Sequence, residues 1–299
     1  MATTVTLTGT GVPFPSPGRA GAGVLVSYDD VRVQVDAGRG TTLRLTDLGV
    51  GVHELDALLI THLHSDHVTD VADLVLTRWV GDHLHGTGAL PVVAPAGRAE
   101  RFVAGLLTAY DYDIEVRRGH VDHGAPRVEG HWFDTPAEPT EVWRSACGRV
   151  AVEAVRVRHE PVEDAVAYRV TTPDAVVVVS GDTRVCDEVA SLAAGADVLV
   201  HEACRASALA EAVAGTVFET IFSYHADTVA LGEQAKGLDL GHLVLTHLIP
   251  APAGEAEEQA YVDDVRAGGY DGPLTVGRDL TTVTIPAAGQ PGAEEGATA

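Results

Sequence analysis

Leu55-Asp56-Ala57-Leu58-Leu59-Ile60-Thr61-His62-Leu63-His64-Ser65-Asp66-His67 leads from a short apolar run into three imidazoles and a carboxylate within six residues. The run at 55–60 suits a buried strand, and a helical pattern over 68–80 follows the cluster. Imidazole nitrogen and carboxylate oxygen are natural zinc donors. In extended chain His62 and His64 point the same way, because side chains alternate. As the chain turns into the helix, Asp66 and His67 can face a second point nearby. One short loop can therefore serve two adjacent metals. A solvated polar loop is the plainer reading of any strand end, but four such side chains directly after a buried strand argue against it.

A two-metal site needs further donors, and other strand ends should supply them. The candidates are His159, Asp182, His201, His225 and His247. Four of these follow expected strands: His159 after 150–158, Asp182 after 175–180, His201 after 198–200 and His247 after 243–245. A lone histidine at a strand end is more often structural, so the weight lies in their joint placement. Gly181 would let the backbone approach the site beside Asp182. The residues alone do not divide these donors between two ions.

Further strands are expected within 4–10, where Val5 and Leu7 are the apolar positions before the Gly9-Thr10-Gly11 loop, and at 24–26, 31–35, 91–94 and 165–170, with a hairpin turn at Ser27–Asp30. Helices are expected at 41–48, 96–110 and 226–236. The Gly-, Pro- and His-rich stretch 120–140 reads as an irregular connection. Residues 287–299, rich in Gly, Ala and Glu, read as a disordered tail. No internal repeat and no linker is visible. Two similar halves of strand and helix suggest one domain over 1–286, built as a sheet-on-sheet sandwich with helices outside.

The 299 residues are 45% hydrophobic and 21% charged, as in an ordinary globular protein. Twenty Lys and Arg oppose forty-three Asp and Glu, for a net charge of −23, and Lys236 is the one lysine. Such a charge argues against gripping nucleic acid through broad electrostatics, though not against a small anion held by metal ions. No run of eighteen apolar residues is present, so no membrane-spanning helix is expected. The N-terminus has no basic and apolar signal pattern. Cys147, Cys186 and Cys204 are dispersed, odd in number and outside any CxxC, which suits a reducing compartment. A cytoplasmic location is the expectation.

The stretch Thr61-His62-Leu63-His64-Ser65-Asp66-His67 resembles the signature of the metallo-β-lactamase superfamily, and most closely its ribonuclease Z-like branch. Gly9-Thr10-Gly11, Asp36-Ala37-Gly38-Arg39-Gly40-Thr41, Ser180-Gly181-Asp182-Thr183, His201-Glu202-Ala203, His225-Ala226-Asp227-Thr228 and Leu243-Val244-Leu245-Thr246-His247 support it, in the branch's own order. The resemblance implies an α+β fold, a four-layer αββα sandwich with metals at the sheet ends. It implies two zinc ions per chain, with Mn2+ or Fe as alternatives. His62, His64 and His159 would hold the first ion, Asp66, His67 and His247 the second, and Asp182 would bridge them. His225 resembles the branch's catalytic histidine, and Glu202 its orienting carboxylate. The plainer reading of Glu202 is a buried partner of His201.

The implied activity is hydrolysis by a metal-bridging hydroxide, with a small phosphodiester as the expected substrate. Asp66 would also accept a hydrogen bond from the attacking water, and His225 would protonate the leaving oxygen. An arylsulfatase or lactonase could use the same core, and a non-catalytic metal-binding protein is the third reading. One departure bears on the partner. The branch's tRNA-gripping arm lies between the counterparts of His159 and Asp182, yet residues 160–181 here read as two plain strands. The stretch 120–140 lies before His159 and carries Arg127 as its one basic residue. Both features argue against tRNA as substrate, although dimeric members of the branch supply the arm differently, which keeps a homodimer open. Trp79, Trp132 and residues 81–89 and 120–140 are expected to line the pocket. His83, His85, His120, His123 and His131 are expected at the surface.

Overall fold

The computed structural model describes residues 2–120 and 124–286. The expected tail and His123 lie outside the described residues. The chain first lays down β1 (Thr3–Gly9), β2 (Gly23–Tyr28), β3 (Val31–Val35), β4 (Ala57–Leu59), β5 (Leu90–Pro95) and β6 (Val128–Phe133). It continues with β7 (Thr140–Arg144), β8 (Ala151–Arg156), β9 (Val166–Thr171), β10 (Val176–Val179), β11 (Val198–Cys204), β12 (His242–Ile249) and β13 (Leu274–Val276). Finally β14 (Thr282–Ile285) returns to pair antiparallel with β1. Two seven-stranded sheets result, ordered β14-β1-β2-β3-β4-β5-β6 and β13-β12-β11-β10-β9-β8-β7.

Alternation along each strand sorts the side chains into three apolar layers. Val24, Val26, Ala57 and Leu59 face the gap between the sheets, where Val177, Val179, Val198 and Val200 meet them. Leu25 and Leu58, one residue out of phase, face outward onto Leu45, Val71, Leu74 and Val75 of the first half's helices. Leu199, Leu243 and Leu245 likewise face Val189, Leu192, Leu231 and Val265. Helices thus cover both outer faces, which is the expected αββα sandwich. Helix Val71–His85 buries Val71, Leu74, Val75, Arg78 and Trp79, a stripe with helical spacing.

The expected helix at 96–110 is interrupted: Arg98–Gly105 is helical, and Thr108–Tyr110 forms a separate 3-10 turn. The expectation of an irregular connection at 120–140 is corrected more fully. Residues 128–133 form β6, parallel to β5 at the sheet edge. Val128 and Trp132 pack on the outer core, but Glu129, Gly130 and His131 dilute the apolar alternation. An edge strand buries little, so its pattern is weak.

The topology gathers the carboxyl ends of several strands at one edge. β3, β4 and β5 run parallel, as do β10, β11 and β12. β8 runs antiparallel to β9, and β9 to β10, so β8 ends at the same edge. The two sheets are tied beneath that edge by the buried Tyr168 hydroxyl, which donates to the Ile60 carbonyl at 2.8 Å. That bond fixes the last residue before the His62 loop.

Candidate metal centre

Four strands deliver the expected donors to one place. The loop after β4 carries His62, His64, Asp66 and His67, with helix Ser65–Val68 starting inside it. β8 leads to His159, β10 to Asp182, and β12 contains His247. One donor atom each from His62, His64, His159 and Asp182 lies within 4.8 Å of the others; Asp66, His67 and His247 form a second such group. Asp182 adjoins both, with His67 Nε2 at 3.2 Å, His247 Nε2 at 3.3 Å and His62 Nε2 at 3.8 Å.

Local backbone devices aim these side chains. Between β11 and β12 the pairing moves from Glu202–Thr246 to Ala203–Leu248, leaving His247 as the extra residue of a bulge. His247 takes φ 44°, an uncommon conformation for a residue with a side chain. The bulge turns its imidazole out of the strand alternation and toward Asp66 and Asp182. Gly181 also lies at positive φ, 59°, and a Cβ there would meet the Thr61 Cβ at 2.9 Å. Glycine is thus required for the Asp182 loop to pass against the His62 loop.

Asp36, at the end of β3 with φ 55°, was not among the expected site residues. Its carboxylate accepts the Thr61 amide at 2.8 Å and the Thr61 hydroxyl at 2.7 Å, and lies 2.7 Å from His67 Nδ1. With Nδ1–H donated to Asp36, the Nε2 lone pair of His67 points into the centre. Since Thr61 donates to Asp36, its oxygen is left to accept from His62 Nδ1 at 3.1 Å, which turns His62 Nε2 inward in the same way. One carboxylate thereby sets two tautomers, a common arrangement behind metal-binding histidines. The quoted Asp36-Ala37-Gly38 segment was the available signal; the pairing with His67, thirty-one residues on, was not.

The donor set fits metal ions. His62 Nε2, His67 Nε2 and Asp182 Oδ1 are buried and without a hydrogen-bond partner among the described residues. Each such group costs about 1–3 kcal/mol if left unmet. His64 Nδ1 and His159 Nε2 lie 3.1 Å apart. Two nitrogens on one tetrahedral ion, at bonds near 2.05 Å, would sit about 3.3 Å apart. The electrostatics agree. Burial alone would raise the Asp182 carboxyl, but His247 and His67 hold it well below the usual range. Burial opposes charge on His67 too, yet Asp182 and Asp36 hold its pKa well above normal. The buried carboxylates thus demand positive charge at this point, whether proton or metal ion.

His225 forms a third group of mutually close donor atoms with Asp182 and His247, and its ring lies 5.6 Å from that of His247. Its Nδ1 is 2.9 Å and 3.0 Å from the two Glu202 oxygens. Burial works against protonation, but the Glu202 charge and hydrogen bond outweigh it and raise the pKa to about 9. Glu202 also accepts the amides of Thr183 at 2.6 Å and Ala226 at 3.2 Å. Its carboxylate therefore ties the Asp182 loop to His225. His201 does not use that carboxylate: its Nδ1 faces the Glu202 carbonyl at 2.8 Å, and it joins no donor group.

Residues 31–248 match the Beta-lactamase superfamily domain. The chain is 35% identical to a Ribonuclease Z of Mycobacterium bovis over 257 residues, covering 84% of this chain and 87% of the relative. The chain belongs to the metallo-β-lactamase superfamily, in its ribonuclease Z-like branch. It is a metal-dependent hydrolase of that superfamily. Solved structures share the fold. The metallo-β-lactamase fold protein YhfI from Bacillus subtilis aligns with TM-score 0.72 at 23% identity, covering 95% of this chain and all of that one. Human tRNase Z, short form, aligns with TM-score 0.69 at 19% identity, covering 95% and 99%.

Within this superfamily hydrolase, a cavity of 510 Å³ opens over the donors. His64, His159, Asp182, His225 and His247 form its polar side; Val12, Phe14, Phe218, Phe222, Tyr224 and Pro250 are among its apolar walls. The expected lining by Trp79, Trp132 and residues 81–89 and 120–140 is corrected. Trp79 borders a different cavity with Arg78, Asp82 and Arg127, and Trp132 packs on the outer core. The true walls come from the loop after β1, from helix Val217–Phe222 and the turn that follows it, and from residues 249–251 at the end of β12, segments without strong sequence signals. His83, His85 and His120 are exposed, and His131 is half-buried at the surface beside Glu129.

Proposed function

We propose that the chain is a dinuclear zinc hydrolase acting on a phosphodiester. His62, His64 and His159 would hold one ion, Asp66, His67 and His247 the other, with Asp182 shared between them. The observation that carries this reading is the convergence of those donors in two groups that meet at Asp182. The name Ribonuclease Z, borne by relatives 35–38% identical, supports a phosphodiester as the substrate class. Two bound ions supply a water activated near neutral pH and offset charge on the phosphoryl oxygens.

The protein's own groups would do the rest. Asp66 Oδ2, 3.2 Å from His247 Nε2, would accept a hydrogen bond from the attacking water. His225 would give its Nε2 proton to the leaving oxygen as that bond breaks. Glu202 holds His225 through Nδ1, so Nε2 carries the transferable proton and faces the cavity. An alkoxide departs poorly without a proton, which is why an acid so placed favours phosphodiesters.

His225→Ala tests the division of labour. It should leave metal content unchanged and lower turnover roughly 10²–10⁴-fold on alkyl phosphodiesters. The loss should shrink on nitrophenyl esters, whose leaving group needs no proton. Equal losses on both would remove His225 from the acid role, and loss of metal would make it a ligand instead.

A further inference from the structure

The cavity that shares His225 and Asp182 with the candidate metal centre is polar on one side and carbon-walled on the rest. No Lys or Arg is among its lining residues. A strand of nucleic acid tracking through it beyond the metal donors would meet no cationic side chain among the described lining residues to neutralise its phosphates. The aromatic walls are incompletely covered by the protein itself: Phe14 is 71% exposed and Phe218 is 40% exposed. Phe218 and Phe222 stand with ring centroids 6.0 Å apart, so they form one patch. Large apolar surface left to water beside a reactive centre is characteristic of a ligand site.

We infer that the leaving arm of the substrate is an uncharged aromatic group seated against Phe14, Phe218 and Phe222. The inference rests on the phosphodiester reading above and adds the side on which the arm lies. His225 lines the same cavity, so the oxygen it protonates is the one that carries the group seated there. In the step, water oxygen joins phosphorus and the bond from phosphorus to the arm's oxygen breaks. That oxygen takes the proton from His225. The products are a phosphomonoester and an uncharged aromatic alcohol, and one water is consumed.

Methyl benzyl phosphate offers both arms in one molecule, with alcohols of similar acidity, so product analysis of the zinc-loaded protein in labelled water reads the preference directly. Benzyl alcohol should exceed methanol roughly 10–100-fold, with the label on phosphorus. Phe14→Ala and Phe218→Ala remove exposed rings and should narrow that ratio several-fold without changing metal content. A ratio near one in the parent protein, or one unmoved by both variants, would overturn the inference and leave phosphodiester hydrolysis standing. Calorimetry with benzylphosphonate and methylphosphonate reads the cavity without turnover. At least tenfold tighter binding of the benzyl compound would uphold the apolar seat even if no phosphodiester were cleaved, which would count against the phosphodiester reading alone. Equal affinity would overturn the seat whatever the rates.

Discussion

Asp36 shows at the scale of single residues what a donor cluster needs behind it. The seven candidate ligands are legible in the sequence through the joint placement of imidazoles and carboxylates at several strand ends, although His201, placed in the same way, joins no donor group. Asp36 is a lone acid at the end of a strand, and its role depends on contacts with Thr61 and His67 that only folding creates. Asp36→Asn is a discriminating change, since asparagine tolerates the φ of 55° that this position adopts. It removes the charge that orients His67 while keeping the shape. Zinc affinity should fall roughly 10–100-fold, measured by titration against a competing chelator. Unchanged affinity would mean that the His67 tautomer is set elsewhere.

Among the elements, those that hold the site were the most readable and those that shape the pocket the least. β4, β10 and the 243–245 stretch of β12 are continuous apolar runs buried on both faces, so their composition announces them. Helix Val217–Phe222, which walls the pocket, buries none of its residues in the core, so no core-facing stripe marks it. The bulge at His247 is a property of pairing between β11 and β12, and neither strand's sequence marks it. Gly181 is the exception, a backbone requirement visible as a glycine. Gly181→Ala would place a methyl 2.9 Å from the Thr61 Cβ at a φ of 59°. Such a change should destabilise the protein by about 1–3 kcal/mol, read as a lower denaturation midpoint, and should weaken metal binding by shifting Asp182. A neutral effect on both would show that the two loops have room to separate.

For the whole molecule, charge and architecture bear on the partner. The net charge is −23, and residues 160–181 between His159 and Asp182 hold β9, β10 and their short connections, with no inserted arm. Among the described residues, no helix is long and apolar enough to cross a membrane. Repulsion of a polyanion extends about 10 Å at 0.1 M salt, and no arm is present at that position to offset it. A small chromogenic phosphodiester should therefore be hydrolysed, while site-specific 3′ cleavage of precursor tRNA by the pure protein should be slow or absent at physiological salt. Efficient cleavage there would show that another surface replaces the arm. All of this presupposes two ions shared across Asp182. Elemental analysis of protein purified without chelator tests that most directly: about two zinc ions per chain are expected, with at least one lost in Asp182→Ala, whereas a reproducible value near zero, with no uptake of zinc, manganese or iron, would contradict the dinuclear centre.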